Sequence, residues 1–325
     1  MRMSRRAVIA GGAAGIGAGV AAGLGARAAG AAGAGFFQRA GLPLGLQLYT
    51  LGPDLAADLD GQLAQVAKAG YRTVELAGYV GRTPEALRAA LDKAGLAAAS
   101  SHVQAASSAA QGGLADPDRV IAEARVLGVR HIVLPMFPIP ERIKPAAGED
   151  RRAYLGRLGA EMTEADWRST AALLNAKAPP LKAAGLSLAY HNHNVEFAPV
   201  APKTGSGATG MAILLKETDP ALVSFEMDAG WVVAAGQDPF AILKAHPRRF
   251  RQMHVKDVKA STKPNFAFQQ DPTEVGGGII DWKRLLPAAR AAGVDGFFVE
   301  QEPPFAHPRI ESARLCADYL LKLQA

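Results

Sequence analysis

The sequence predicts a single-domain (β/α)8 barrel, also called a TIM barrel, and three observations support this prediction. From residue 44 onward, short β-rich apolar runs alternate with amphipathic stretches, and eight such units can be counted. This alternation is typical of parallel strands joined by helices. Residues 35–325 carry the eight units, a length close to the roughly 250 residues plus insertions of one closed barrel. The phrases Lys-Ala-Gly and Ala-Ala-Gly recur before predicted strands, as expected where a helix ends in a glycine.

The predicted strands are short apolar runs, and each is followed by a helical stretch. They span 44–50, 72–76, 97–103, 131–135, 186–193, 222–228, 250–256 and 296–302. The glycines that mark helix ends are Gly70, Gly95, Gly185 and Gly293. The longest irregular stretches follow strands 4, 5 and 7, at 136–162, 194–211 and 258–280. In a barrel all of these loops lie on the face that holds active sites.

Residues 1–34 are predicted to be a twin-arginine export signal, and residues 35–325 the barrel. Arg5 and Arg6 precede a long apolar stretch rich in Ala and Gly, and small-residue sites such as Ala26-Arg27-Ala28 follow it. Glycines interrupt this weakly hydrophobic stretch, which suits export better than a permanent membrane span. The mature protein is therefore predicted to be periplasmic or secreted, with no stable membrane association after cleavage. A membrane anchor and a flexible leader are the alternatives.

Composition and charge exclude several classes of protein. With 49% hydrophobic and 20% charged residues, the chain is not of the intrinsically disordered class. The formal charge is +6, but four arginines precede residue 30 and no acidic residue precedes Asp54, so the barrel itself carries +2. Such a charge does not predict a nucleic-acid partner. Cys316 is the one cysteine and cannot form an intramolecular disulfide. Its place in a C-terminal amphipathic stretch favours a buried core residue over a reactive thiol.

Polar side chains that can titrate or bind a metal stand at the ends of several predicted strands. They are Glu75, His102, His191, His193, Asp228, His254, Lys256, Glu300 and Glu302. Residues two apart in a strand share a face, so His191 with His193, and likewise the two glutamates of strand 8, can both point into the barrel. Strands 5 to 8 are neighbours in a barrel, so one inward ligand from each converges at its mouth. Imidazoles and carboxylates together favour a divalent ion such as Mn, Co, Zn or Fe.

Six segments extend this pattern over essentially the whole mature chain. They are 45–49 (GLQLY), 70–77 (GYRTVELA), 190–197 (YHNHNVEF), 225–238 (FEMDAGWVVAAGQD), 253–259 (MHVKDVK) and 298–302 (FVEQE). Together they resemble the xylose isomerase-like barrels, the sugar-phosphate isomerase/epimerase group. The resemblance implies one bound divalent ion, Mn in the first place and Co, Zn, Fe or Mg as alternatives. The implied ligands are His191, Asp228, His254 and Glu300, and His193 is the alternative ligand from strand 5.

The same segments predict which residues carry out catalysis and bind the substrate. The predicted catalytic residues are Glu300, Glu302, Lys256 and His193. The base is expected to be Glu302, Lys256 or the strand-5 histidine that does not bind metal, and Lys256 would need a lowered pKa for this role. The predicted substrate contacts are Glu75, His102, Trp231 and Asp257. Structural hydrogen bonding is the alternative for Glu75 and His102, aromatic packing is the alternative for Trp231, and 276–278 is expected to form an ordinary turn.

The predicted function is that of a divalent-metal-dependent sugar isomerase or epimerase acting on a keto-sugar or polyol. A metal that touches two adjacent oxygens would stabilise an enediolate, and a positioned base would form it. Many members of the group carry Glu on strand 5 where this sequence has His, which argues against a symmetrical exchange between two carboxylates. An exported 3-keto-glycoside lyase or hydrolase of the same fold is therefore the alternative. A non-catalytic periplasmic sugar- or metal-binding protein is the alternative from another class. The expected partner is a small carbohydrate, and an oligomer is compatible with the sequence.

Overall fold

The computed structural model describes residues 34–200 and 208–325, without the side chain of Arg152. The predicted export signal therefore lies outside the described residues, except for Ala34. Gly35–Ala325 form one compact unit. Among the residues that the structure describes, no helix is both long enough and apolar enough to cross a membrane.

Eight parallel strands close into one barrel, which confirms the predicted fold class. The first strand pairs with the second on one side and with the last on the other, and the remaining strands pair in chain order. The barrel strands are β1 Gly45–Gln47, β2 Thr73–Leu76, β3 Ala97–His102, β4 His131–Leu134, β5 Ser187–His191, β6 Val223–Asp228, β7 Phe250–Val255 and β8 Gly296–Val299. A separate antiparallel ribbon pairs Asp257–Val258 with Pro272–Thr273.

Helices connect the strands, and several end as predicted on glycines with left-handed backbone. Gly70, Gly95 and Gly293 have φ values of 108°, 70° and 109°. The helices of the described residues are α1 Phe36–Ala40, α2 Pro53–Ala57, α3 Leu59–Ala69, α4 Pro84–Ala94, α5 Pro117–Leu127, α6 Arg151–Glu161, α7 Glu164–Ala183, α8 Gly210–Glu217, α9 Ala229–Ala234, α10 Pro239–Ala245, α11 Trp282–Ala292 and α12 Arg309–Lys322. Cys316 is buried on α12, as predicted, and burial raises its pKa to about 12.

Several strands are shorter at their carboxyl ends than the sequence predicted. β1 ends at Gln47, where the 3-10 helix Leu48–Leu51 begins, and β8 ends at Val299. The predicted span 44–50 was too long because β1 pairs with its neighbours over only two or three positions, after which the chain turns away from the ladder. The predicted span 296–302 was too long because β8 already ends at Val299. Residues just beyond the strand ends therefore lie in loops at the rim of the barrel.

The register of the central strands places several site residues side by side. His191 on β5 lies opposite Glu226 on β6, and Asp228 on β6 lies opposite His254 on β7. Residues that pair across parallel strands point to the same side of the sheet. All four side chains are buried, so a cluster of charged and imidazole groups occupies the interior of the barrel.

Candidate active site

A cavity of two lobes that share lining residues opens beyond the carboxyl ends of the strands. The first, which we call the polar lobe, measures about 470 Å³ and includes His102, Gln104, Gln111, His191 and Glu300 in its lining. The second, the aromatic lobe, measures about 510 Å³ and includes Leu155, Trp231, Phe268, Pro303 and Pro304. The residues that line both lobes are Tyr49, Met136, Arg151, His193 and Glu302. The long loops after strands 4 and 7 contribute to this cavity, as predicted.

Four side chains from β5 to β8 and their ends have the spacing of a metal site. His254 Nδ1 lies 2.9 Å from Glu300 Oε2 and 3.6 Å from Asp228 Oδ2. His191 Nε2 lies 4.0 Å from the same oxygen of Asp228. Ligand atoms at about 2.1 Å from one cation lie roughly 3 to 4 Å from each other. Asp228, His254 and Glu300 therefore lie close enough to share one ion, and His191 approaches this group at Asp228.

The chemistry of these donors also fits a divalent ion. Asp228 Oδ2 is buried and lies 2.8 Å from Lys256 Nζ, so a cation already faces this oxygen in the structure. Two imidazoles with two carboxylates suit Mn, Fe, Co or Zn. His193, the alternative strand-5 ligand, lies beyond the end of β5 with its ring 4.9 Å from that of His191. It faces both lobes of the cavity, so we assign the strand-5 donor to His191.

Lys256 lies among the same carboxylates. Its Nζ is 2.8 Å from Asp228 Oδ2, 2.7 Å from Glu300 Oε2 and 2.7 Å from Glu302 Oε1. Burial alone would lower the pKa of Lys256, but Asp228, Glu300 and Glu302 hold it well above its usual value. The ammonium form is favoured while these three carboxylates surround it. The residue balances the negative charge of the cluster.

Glu226 and Glu75 supply two further carboxylates that contact the histidines of the cluster. Glu226 Oε2 lies 3.0 Å from His191 Nδ1, 3.2 Å from His254 Nε2 and 3.2 Å from His102 Nε2. Glu75 Oε1 lies 2.7 Å from His254 Nε2 and 3.1 Å from His102 Nε2. Carboxylates in this position fix which ring nitrogen of a histidine faces a metal. Here they leave Nε2 of His191 and Nδ1 of His254 for the ion.

Glu226 was not among the predicted site residues, although the sequence contains a signal for it. Glu226 stands two residues before the predicted ligand Asp228 in the same strand, so the two side chains share a face.

Glu75 was predicted to contact the substrate, but it is fully buried and does not line the cavity. Its Oε1 accepts a hydrogen bond from Gln47 Nε2 at 2.8 Å. The structural alternative is therefore correct for Glu75. His102 lines the polar lobe with 12% of its side chain exposed, so it can contact a ligand.

Asp257 is buried and supports a loop, away from the lining of the cavity. Its carboxylate accepts hydrogen bonds from the Gly276 N–H at 2.9 Å and from Trp282 Nε1 at 2.9 Å. A Cβ at Gly278 would come within 2.1 Å of Asp257 Oδ1, so the approach of this turn requires glycine there. The predicted substrate contact of Asp257 is not supported, because backbone and indole donors already occupy both of its oxygens. The segment 276–278 is the ordinary turn that was expected.

His193 and Glu302 both contact the Trp231 indole and face both lobes. The ring of His193 is 5.7 Å from that of Trp231, and Trp231 Nε1 donates to Glu302 Oε1 at 3.2 Å. Burial lowers the pKa of His193 well below its usual range, and His191 and Lys256 add to this effect. Burial raises the pKa of Glu302 against the opposing effect of Lys256. Trp231 itself is only 2% exposed, which favours packing over an open stacking platform for a sugar.

Glu196, in the loop after β5, leads to a prediction about pH. Its buried carboxylate accepts from the Tyr190 hydroxyl at 2.7 Å and from the His193 N–H at 2.9 Å. Burial raises the pKa of Glu196 from 4.5 to about 7, so the folded protein holds this proton after the unfolded chain has released it. Stability should therefore fall as the pH rises from about 4.5 to 7, by on the order of 3 kcal/mol, and then level off.

The matched variant for this prediction is Glu196→Gln, which cannot titrate. Urea unfolding at pH 5 and pH 8 would give the difference in the free energy of unfolding for each protein. We expect this difference to be smaller in the variant, because the proton held by Glu196 no longer contributes. An equal pH dependence of the two proteins would show that Glu196 is ionised in the folded state throughout this range.

Comparison with proteins of known structure agrees with this architecture. Residues 63–322 match the family model described as "Xylose isomerase-like TIM barrel". A sugar phosphate isomerase/epimerase from Parabacteroides distasonis ATCC 8503 is 25% identical with a TM-score of 0.67, covering 86% of this chain and 94% of that one. A xylose isomerase-like TIM barrel protein from Mycobacterium smegmatis, in complex with magnesium, is 16% identical with a TM-score of 0.62, covering 87% and 96%. The second likeness concerns the fold alone.

Curated relatives match a shorter part of the chain. An inosose dehydratase from Geobacillus thermodenitrificans (strain NG80-2) is 32% identical over 160 residues, which are 45% of this chain and 51% of that protein. An inosose dehydratase from Lacticaseibacillus casei is 28% identical over 162 residues, again 45% and 51%. The chain thus spans about half the length of the curated relatives that it matches.

Proposed function

The chain belongs to the xylose isomerase-like TIM barrel family, and we propose that it is a divalent-metal-dependent lyase acting on a cyclic polyhydroxy ketone. The proposed reaction removes the proton next to the carbonyl and then expels an oxygen substituent from the following carbon. One observation carries this proposal. A donor set that suits a metal and two side chains able to transfer protons face the same cavity, and these two side chains border the same indole.

Each residue of the site has a distinct task in this reaction. A divalent ion held by His191, Asp228, His254 and Glu300 would polarise the carbonyl and acidify the neighbouring C–H bond. The imidazole of His193 takes that proton, since no hydrogen bond of its ring is found among the described residues. Glu302 donates a proton to the departing oxygen as the C–O bond breaks. The products are an unsaturated ketone and water or an alcohol, so the proton removed by the base is balanced by the one returned.

Two features favour elimination over the epimerisation that the sequence first predicted. An epimerase that exchanges protons symmetrically needs groups on opposite faces of the substrate. Here His193 and Glu302 both contact the Trp231 indole and line both lobes, which supports a pair of proton-transfer groups beside one bond of the substrate. The similarity to proteins named inosose dehydratases supports the same type of reaction.

The proposal retains two predictions from the sequence. Manganese is the proposed resident ion, because imidazole and carboxylate donors suit it. Twin-arginine export is the proposed route, and it would bring a metal-loaded barrel into contact with unphosphorylated glycosides outside the cytoplasm. Elemental analysis of the purified protein and localisation of an Arg5-Arg6→Lys-Lys variant address these two points separately.

The reaction can be tested with the metal-loaded enzyme in deuterated water. We expect 3-keto-glycosides or inososes to yield an unsaturated ketone together with the released water or alcohol, as seen by NMR and mass spectrometry. Deuterium at a retained and inverted carbon would show epimerisation instead. Absence of turnover with Mn, Co, Zn, Fe and Mg in turn would favour a binding protein. Either result would overturn the lyase proposal.

A further inference from the structure

We propose that the aromatic lobe is a subsite for the leaving group, so that the substrate is a keto-sugar joined to a second ring with an apolar face. This inference rests on the proposed elimination and specifies what is expelled. The polar lobe, of about 470 Å³, already has the size of a small-molecule site, for which roughly 300–1,000 Å³ is usual. The aromatic lobe measures about 510 Å³ and extends away from the metal donors, beyond the part that it shares with the polar lobe.

The two lobes meet at the residues assigned to proton transfer. His193 and Glu302 line both lobes, whereas the donors His191 and Glu300 line only the polar lobe. A sugar ring placed on the donors therefore extends past Glu302 before it reaches the aromatic lobe. The bond that breaks lies at this junction, and the group that leaves lies in the aromatic lobe.

Phe268 forms a wall of the aromatic lobe and adopts an uncommon backbone conformation. Its φ is +53°, which is rare for a bulky residue and is found where the surrounding structure enforces it, often at ligand sites. Its ring centroid lies 5.1 Å from that of His193 and 6.1 Å from that of Trp231. The left-handed residue thus places an aromatic ring beside the proposed base.

Two asparagines hold the loop that carries Phe268. The Phe268 N–H donates to Asn194 Oδ1 at 3.1 Å, and Asn194 Nδ2 donates to Asn265 Oδ1 at 2.8 Å. Asn265 Oδ1 also accepts from the Ala267 N–H at 2.9 Å and the Gln269 N–H at 3.2 Å. Asn194 directly follows His193 in the chain. The same hydrogen bonds therefore fix Phe268 relative to the proton-transfer residues.

The lining of the aromatic lobe indicates the chemistry of its ligand. Among its described side chains only Arg151 and Glu302 belong to charged residue types, and both lie at the junction with the polar lobe. A phosphate or carboxylate leaving group is usually bound by several charge-assisted hydrogen bonds. Away from the junction, the lining consists of the apolar Leu155, Trp231, Phe268, Pro303 and Pro304 and the neutral amides Gln269 and Gln270. The apolar part of this lining suits the face of an aryl group, which packs favourably against phenylalanine. The structure therefore favours an aryl aglycone over an anionic one.

The test compares phenyl and methyl 3-keto-β-glucosides as substrates of the metal-loaded enzyme. We expect the wild-type KM to be up to about tenfold lower for the phenyl glycoside, the effect of one favourable aromatic contact. The Phe268→Gly variant removes the ring, and glycine accepts a positive φ without strain. This variant should lose most of the preference for phenyl over methyl.

Phe266→Leu is the matched control, because Phe266 belongs to the same loop but does not line the cavity. The Phe266→Leu variant should keep the preference for the phenyl glycoside. Loss of this preference in both variants would assign the effect to the loop and overturn the role of the Phe268 ring. Equal KM values for the two glycosides in the wild type would overturn the subsite while leaving the lyase intact. Failure to turn over any keto-sugar, inosose included, would overturn the proposed function and this inference with it.

Discussion

Replacing Asp228 by Asn is expected to remove the resident metal ion and nearly all activity. The change keeps the size of the side chain and the Oδ1 that accepts from the Trp231 N–H at 2.9 Å, but it removes the charge from the donor set. We expect metal affinity to fall by more than the 10–100-fold that is typical of residues supporting a ligand. Elemental analysis should give close to one ion per chain for the wild type and almost none for the variant.

Glu226→Gln provides a matched control for this prediction. Both changes convert a fully buried carboxylate of β6 to its amide, at positions two residues apart. Glu226 contacts the far sides of His191 and His254, so its loss should weaken metal binding by about 10–100-fold without abolishing it. Full metal content in Asp228→Asn, with loss in Glu226→Gln, would instead place the ion in the inner cluster of His102, His191, Glu226 and His254.

The fold could be predicted because its signals are local. Apolar runs that alternate with amphipathic stretches, and glycines such as Gly70 and Gly95 at helix ends, depend only on nearby residues. The ends of the strands were less accurate, because pairing with neighbours decides where a ladder stops. The chain leaves the barrel after Gln47 and Val299, although the apolar pattern continues beyond Gln47 in Leu48 and Tyr49.

The donor set was predicted from the parity of side chains, from the order of strands in a closed barrel and from the resemblance to the xylose isomerase-like barrels. The roles of other polar residues could not be predicted in this way. Glu75 and Asp257 resemble site residues in the sequence, but partners distant in the chain, Ser100 and Trp282 among them, occupy their oxygens. The position of Phe268 depends on a hydrogen bond that its N–H donates to Asn194 Oδ1, 74 residues away. Such contacts depend on the paths of the loops, and hydrophobic periodicity in the sequence does not predict these paths.

Replacing His193 by Asn is expected to lower kcat by about 10²–10⁴-fold, the usual contribution of a general base. The metal content should remain that of the wild type, because the side chain of His193 lies outside the proposed donor set. The informative measurement is exchange of the substrate proton with deuterated water, which reports proton removal even when no leaving group departs. We expect this exchange to be lost together with turnover.

Glu302→Gln separates the two proton transfers, because Glu302 is proposed to act after the proton has been removed. This variant should still exchange the substrate proton while releasing the leaving group slowly. The difference in release rate between wild type and variant should be smallest for leaving groups that depart without protonation, such as a nitrophenolate. The Oε1 of the glutamine can still accept from Trp231 Nε1, although the charge of the contact with Lys256 Nζ at 2.7 Å is lost. If His193→Asn exchanged the proton at the wild-type rate while Glu302→Gln did not, the two roles would be reversed and Glu302 would be the base.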